Sequence, residues 1–157
     1  MKLSQLVRFV FALVSLALLA ACGSGKPVRR INPPALSIQQ LTVQADGHWQ
    51  LELRAQNFST VAMRFDAIEA GLEIEGINAG AIFVRPQLEI PGQSADVIAA
   101  TLAPSREAAA KFAEAAGSGS VGYQLRGSIE TGEPDRKFPL NQSSRLSPVP
   151  GRPNTYR

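Results

Sequence analysis

Trp49-Gln50-Leu51-Glu52-Leu53-Arg54-Ala55-Gln56 is the stretch that decides the fold. Every odd position is apolar and every even position polar, the period of a strand with one face in a core and the other in water. Asp46-Gly47 just before it is a turn signal. Upstream, Leu36, Ile38, Leu41 and Val43 mark an earlier strand, and a change of phase near Gln39-Gln40 predicts a β-bulge.

Downstream, Asn57 to Thr60 interrupts the pattern, and Met63 and Phe65 restart it. Ile68, Leu72 and Ile74 continue on the opposite parity, so a second bulge is expected near Ala67. Gly76 to Gly80 is expected to turn, leaving Ala81 to Val84 as a short strand. Leu88 and Ile90 form another, framed by Arg85-Pro86 and Pro91-Gly92. Ser94 to Leu102 is strand-like and expected to be largely buried, Val121 to Ile129 alternates again, and Phe138 with Leu140 makes a weak last strand. One helix breaks the series. Ser105 is its N-cap, Glu107 complements the dipole in its first turn, and Gly117 is its expected stop. Its narrow apolar stripe fits a short helix laid across one end of a sheet sandwich. Many short strands with frequent turns define an all-β class, an immunoglobulin/fibronectin-III-like antiparallel β-sandwich with one short helix. Trp49, Leu51, Leu53, Phe65, Leu72, Tyr123 and Leu125 are its expected inward residues.

The N-terminus carries a different signal. Lys2 and Arg8 precede an apolar run from Phe9 to Ala20, too short to span a bilayer but shaped like a secretory leader. The run closes on Leu19-Ala20-Ala21-Cys22, which resembles a bacterial lipobox. That family implies cleavage before Cys22 and acylation of its thiol. Each buried CH2 of such a chain contributes about 0.8 kcal/mol, and two or more chains hold stably. The expected divisions are a lipoprotein leader over 1–21, a lipidated linker over 22–34, the sandwich over 35–141 and a Pro-rich tail over 142–157. Gly23 stands where an aspartate would retain enteric lipoproteins at the inner membrane, so the periplasmic face of the outer membrane is the expected location.

Charge narrows the partners. Losing Lys2 and Arg8 with the leader brings 16 basic and 13 acidic residues to a net charge of about +1. No basic stripe with interleaved aromatics appears, so nucleic acid is not an expected partner. The expected contacts are the membrane, through the anchor on Cys22, and an envelope protein.

The strand sequence also resembles a known family. A Pro-led first strand (Pro34-Ala35-Leu36-Ser37-Ile38), an amphipathic second strand ending at Asn57, and Phe65-Asp66-Ala67-Ile68-Glu69-Ala70-Gly71-Leu72-Glu73-Ile74-Glu75-Gly76 are similar to the late embryogenesis abundant type 2, or water-stress and hypersensitive-response (WHy), domain. Asn57-Phe58-Ser59 stands where that family has an Asn-Pro-Asn-like turn, so the proline is missing. Pro91-Gly92 before Ser94 to Leu102 matches a turn the family places before a later strand. The resemblance covers about residues 34–130. It implies a β-sandwich and a non-catalytic role associated with desiccation or osmotic stress.

Few side chains offer chemistry. One histidine and one cysteine exclude a zinc site of the usual ligands and a histidine-based triad. No cofactor, metal or catalytic residue is expected. His48 follows a turn and is expected to be solvated. Glu69, Glu73 and Glu75 form an acidic row on a strand face, which projects carboxylates in parallel instead of converging them on a cation. Asp66 and Asp96 are a conceivable carboxylate pair for glycosidic chemistry only if the fold sets them across a cleft. Asn57 is a candidate recognition residue, although asparagine also suits an Asx turn between strands. Pro148 and Pro150, in the Pro-rich tail, are candidate docking residues for an envelope partner if that tail is extended.

Overall fold

The computed structural model describes residues 28–157. Ten elements follow one another: β1 (Ala35–Val43), β2 (Trp49–Gln56), β3 (Met63–Ile74), β4 (Ile77–Val84), β5 (Leu88–Ile90), β6 (Ala95–Leu102), α1 (Arg106–Gly117), β7 (Val121–Glu133), β8 (Asp135–Leu146) and β9 (Thr155–Tyr156). All strand pairs are antiparallel. One sheet has the order β6-β2-β1-β9; the other has β4-β3-β7-β8, with β5 pairing the start of β3. The two sheets face each other as a β-sandwich with a single short helix, the expected class.

β2 alternates as its sequence dictates: Trp49, Leu51, Leu53 and Ala55 are buried while Gln50 and Arg54 are exposed. All seven expected inward residues lie in the core. Both expected bulges are present. The register of β1 on β2 shifts between Ile38 and Gln40, so that Ile38 and Leu41 both point inward. Across the sandwich, the Tyr123 phenol oxygen accepts the Ile38 N–H at 3.1 Å. The register of β3 on β7 shifts between Phe65 and Ala67, which reconciles Phe65 and Ile68 in one core.

The helix begins as expected. The Ser105 hydroxyl oxygen accepts the Ala108 N–H at 3.2 Å and donates to the Asn78 carbonyl at 2.8 Å, fastening the helix start to β4. Phe112 lies between Trp49 and Tyr156, with ring centroids 5.0 and 4.8 Å away. The helix thus closes the end of the sandwich that also holds the β1–β2 turn. Its stop differs from expectation: Gly117 is still helical, and Gly119 takes the positive φ of 106° that ends the turn.

Three other expectations are corrected. Residues 77–80 are not a turn; β4 begins at Ile77, and Glu75-Gly76, both with positive φ, make the tight turn by themselves. β6 is not largely buried: it alternates from Val97 onward, with Ile98, Ala100 and Leu102 inside and Val97, Ala99 and Thr101 exposed. The boundary expected at 141/142 falls inside β8, which runs to Leu146, and the residues beyond it fold back. Val149 N–H bonds the Thr155 carbonyl at 2.9 Å, Arg157 N–H bonds the Ser147 carbonyl at 2.9 Å, and β9 joins β1. The expected leader and Cys22 lie outside the described residues.

Candidate functional site

At the end of the sandwich away from the helix, the entering chain meets the β2–β3 and β5–β6 connections. Asn57 organises this end. Its side-chain NH2 donates to the carbonyls of Val61, Ile90 and Pro91 at 2.8, 3.0 and 3.2 Å, and its Oδ1 accepts the Ser59 N–H at 2.9 Å. The residue is 0% exposed. It is therefore a structural clasp holding two connections together, and its amide has no face left for a ligand. Gly92 completes the approach: a Cβ there would sit 2.7 Å from the Thr60 carbonyl carbon, closer than any side chain tolerates.

The chain arriving from the N-terminus is stitched to the same connection. Arg30 N–H donates to Thr60 Oγ1 at 2.8 Å, and Thr60 N–H donates back to the Arg30 carbonyl at 3.0 Å. The Thr60 hydroxyl donates to the Val28 carbonyl at 2.7 Å. Asn32 N–H donates to Ser59 Oγ at 2.9 Å, and the Asn32 side chain donates to the Phe58 carbonyl at 2.8 Å. The linker expected over 22–34 is thus fixed from Val28 onward. Between the buried Asn57 and Ser59, Phe58 projects its ring outward and is 46% exposed.

The remaining chemistry-bearing residues are dispersed. Asp66 pairs with Arg64 at 2.7 Å, and that guanidinium holds its carboxyl below the usual range. Asp96 lies on β6, in the other sheet, where its Oδ1 accepts the Val97 N–H at 2.7 Å. The two aspartates form no pair across a cleft. His48 Nδ1 lies 3.1 Å from Asp46 Oδ2 at the helix end, and the His48 backbone N–H lowers the Asp46 pKa. In the acidic row, Glu73 meets Arg126 and Glu75 meets Arg145, each at 3.5 Å, so arginines from β7 and β8 neutralise two of the three acids. No cluster of three metal-ligating side chains occurs among the described residues.

Two open clefts lie on the β4-β3-β7-β8 sheet. One of about 430 Å³ is lined by Glu73, Glu75, Tyr123, Gln124, Ser144 and Arg145 among others. The other, about 180 Å³, lies between Glu69, Phe83, Arg85 and Glu130, where the Arg85 guanidinium stacks 5.2 Å from the ring of the 55% exposed Phe83. Sequence reading missed that pair because Arg85-Pro86 marks a strand end and hides the face that Phe83 occupies.

Pro148 and Pro150 belong to the folded-back tail. Pro148 bridges Tyr156, and Pro150 stands in the turn that precedes Gly151. The same tail brings Arg152 and Arg157 to Gln40, whose side-chain oxygen accepts from them at 3.3 and 3.1 Å. Gln40 is only 6% exposed, and its burial was hidden in sequence because its cover lies more than a hundred residues away.

No family model matches this chain, and no curated protein does. Similar solved structures include a crystal structure of an Archaeoglobus fulgidus protein (12% identity, TM-score 0.44, covering 76% of this chain and 98% of that one). A solution structure from Arabidopsis thaliana has 12% identity and a TM-score of 0.49 over 83% of this chain and 87% of that one. An X-ray structure of a structural-genomics target has 11% identity and a TM-score of 0.44 over 78% and 91%. Likenesses of this degree carry no argument about what the chain does.

Proposed function

We propose that this chain is a membrane-anchored, non-enzymatic envelope lipoprotein whose sandwich shields or binds envelope components under desiccation or osmotic stress. The observation that supports the anchor is Leu19-Ala20-Ala21-Cys22 at the close of a short apolar run behind Lys2 and Arg8. The dispersal of His48, Asp66 and Asp96 favours a binding or shielding role over hydrolysis. The stress association rests on the resemblance to the late embryogenesis abundant type 2 domain. Deleting the gene is the test: the reading expects poor survival after drying with an intact detergent barrier. Turnover of a cell-wall or lipid substrate by the purified protein would contradict it.

A second reading, an envelope assembly or scaffolding factor, is favoured by one strand edge. The Asn57 N–H to Ser94 carbonyl bond of 2.9 Å sets the β2–β6 phase, so the N–H and C=O groups of Ala95, Val97, Ala99 and Thr101 point away from β2. Among the described residues no strand pairs that side; the Asp96 carboxylate takes the Val97 N–H, and β6 carries no Lys, Arg or Pro over the rest of the edge. A partner strand could add there. The folded-back tail is a poorer docking peptide, since its backbone bonds are already made. In this reading, deletion brings detergent sensitivity and loss of a partner complex.

A further inference from the structure

We propose that the Phe58 end of the sandwich faces the lipid bilayer, with the Phe58 ring as its interfacial contact. The proposal rests on the anchor at Cys22 and adds the orientation of the domain. Five residues, 23–27, separate Cys22 from Val28. At full extension they allow a separation of about 20 Å. From Val28 the chain has no further slack, because Thr60, Ser59 and the Phe58 carbonyl hold Val28, Arg30 and Asn32. An anchored chain therefore keeps the β2–β3 connection nearest the membrane and carries the helix end outward.

The surface at that end suits the position. Phe58 is an exposed aromatic on a backbone made rigid by the buried Asn57 and Ser59, so its ring projects without an ordering cost. Phe, like Trp and Leu, is a side chain that surface-bound segments bury at the headgroup/acyl boundary. Lys26 lies in the tether and Arg29 and Arg30 in the stitched segment that follows it, and neither residues 23–34 nor the connections over 57–62 and 91–94 contain an acid. Anionic headgroups attract such a basic segment. Acids flank this surface at Glu89 on β5, Asp96 on β6, and Glu133 and Asp135 in the β7–β8 hairpin, so the tether and the Phe58 connection are the part of this end that approaches an anionic surface.

The test uses the full lipidated chain in vesicles of phosphatidylethanolamine and phosphatidylglycerol. With Cys22 acylated, an introduced cysteine is the only free thiol. A fluorophore on Ala62→Cys, beside the loop, is compared with one on Ala113→Cys, exposed on the helix, using a headgroup-borne quencher. Severalfold stronger quenching at position 62, reduced by adding Phe58→Ser, is the expected result. Equal quenching at both positions, or none lost with Phe58→Ser, overturns the orientation while leaving the anchor standing. Shielding of position 62 from a water-soluble quencher without quenching from lipid assigns this end to a second copy of the chain and also overturns it. A mature chain whose mass shows no lipid overturns the anchor, and the orientation with it.

Discussion

Asn57 shows how one side chain can fix a whole end of a sandwich. Three carbonyls and one N–H depend on it, and the side chain that serves them is itself fully buried. Leaving a buried polar group unpaired costs about 1–3 kcal/mol, so Asn57→Ala is expected to lower stability by about 3 kcal/mol or more in urea unfolding. Tyr123 works across the sheets. Burial pushes its phenol above the ordinary 10.0, so near that pH the folded state holds a proton the unfolded state has released. Stability is therefore full below pH 10.0 and falls as pH rises past it. Tyr123→Phe should flatten part of that alkaline fall while costing stability at neutral pH, because the Ile38 N–H loses its acceptor. An alkaline limb identical to that of the parent protein would contradict this role. In β2 the phase itself is testable. Leu53→Ala should cost about 2–5 kcal/mol. The exposed Arg54→Ala should stay within about 0.5 kcal/mol. Glu52 is a poorer control, since its carboxylate holds the Gln40 amide at 3.4 Å.

At the level of elements, period-two alternation made β1, β2, β3 and β7 legible, including both bulges, because each strand buries one face and exposes the other. Ala81 to Val84 of β4 was legible, but its first half was hidden by Asn78, Ala79 and Gly80, turn-like or small residues that here lie in a strand beside the helix start. Gly80 has a φ of 138°, and a Cβ there would crowd Leu102 at 3.0 Å, so its smallness serves packing. β9 could not be read at all: two residues after a Pro-rich run gain their order from β1, far away in sequence. Helix α1 was legible from its cap and composition, and its attachment gives a prediction. Phe112→Ala is expected to cost about 3–5 kcal/mol. It should also shift the emission of Trp49, the only tryptophan, against which Phe112 packs at 5.0 Å. On β6, Val97→Lys guards the open edge without touching the core, since Val97 is 41% exposed. In the assembly reading it should leave stability within about 0.5 kcal/mol while a partner complex is lost. A complex that survives this change would argue against strand addition at β6.

For the whole molecule, the described residues form one sandwich body, with its entering chain stitched to the β2–β3 connection and its tail folded back on β1. The tail is part of that body. Removing residues 147–157 strips Gln40 of Arg152 and Arg157, takes β9 from the edge of β1 and uncovers one face of Phe112. A markedly lower midpoint in thermal unfolding is expected, and an unchanged midpoint would mean that the tail adds nothing to the fold. The candidate site was partly legible. Asn57 stood out in sequence, but its stitching to residues 28–32 depends on contacts between distant segments, and so does the outward stance of Phe58. The proposed anchor rests on the sequence of residues 2–22 alone, and everything proposed about location and orientation depends on it. The most direct measurement is the mass of the N-terminal peptide of the mature protein purified from envelopes. The account predicts a chain that begins at Cys22 and carries a diacylglyceryl group on its thiol. A mature chain that begins elsewhere, or one with Cys22 present as a free thiol, would contradict it.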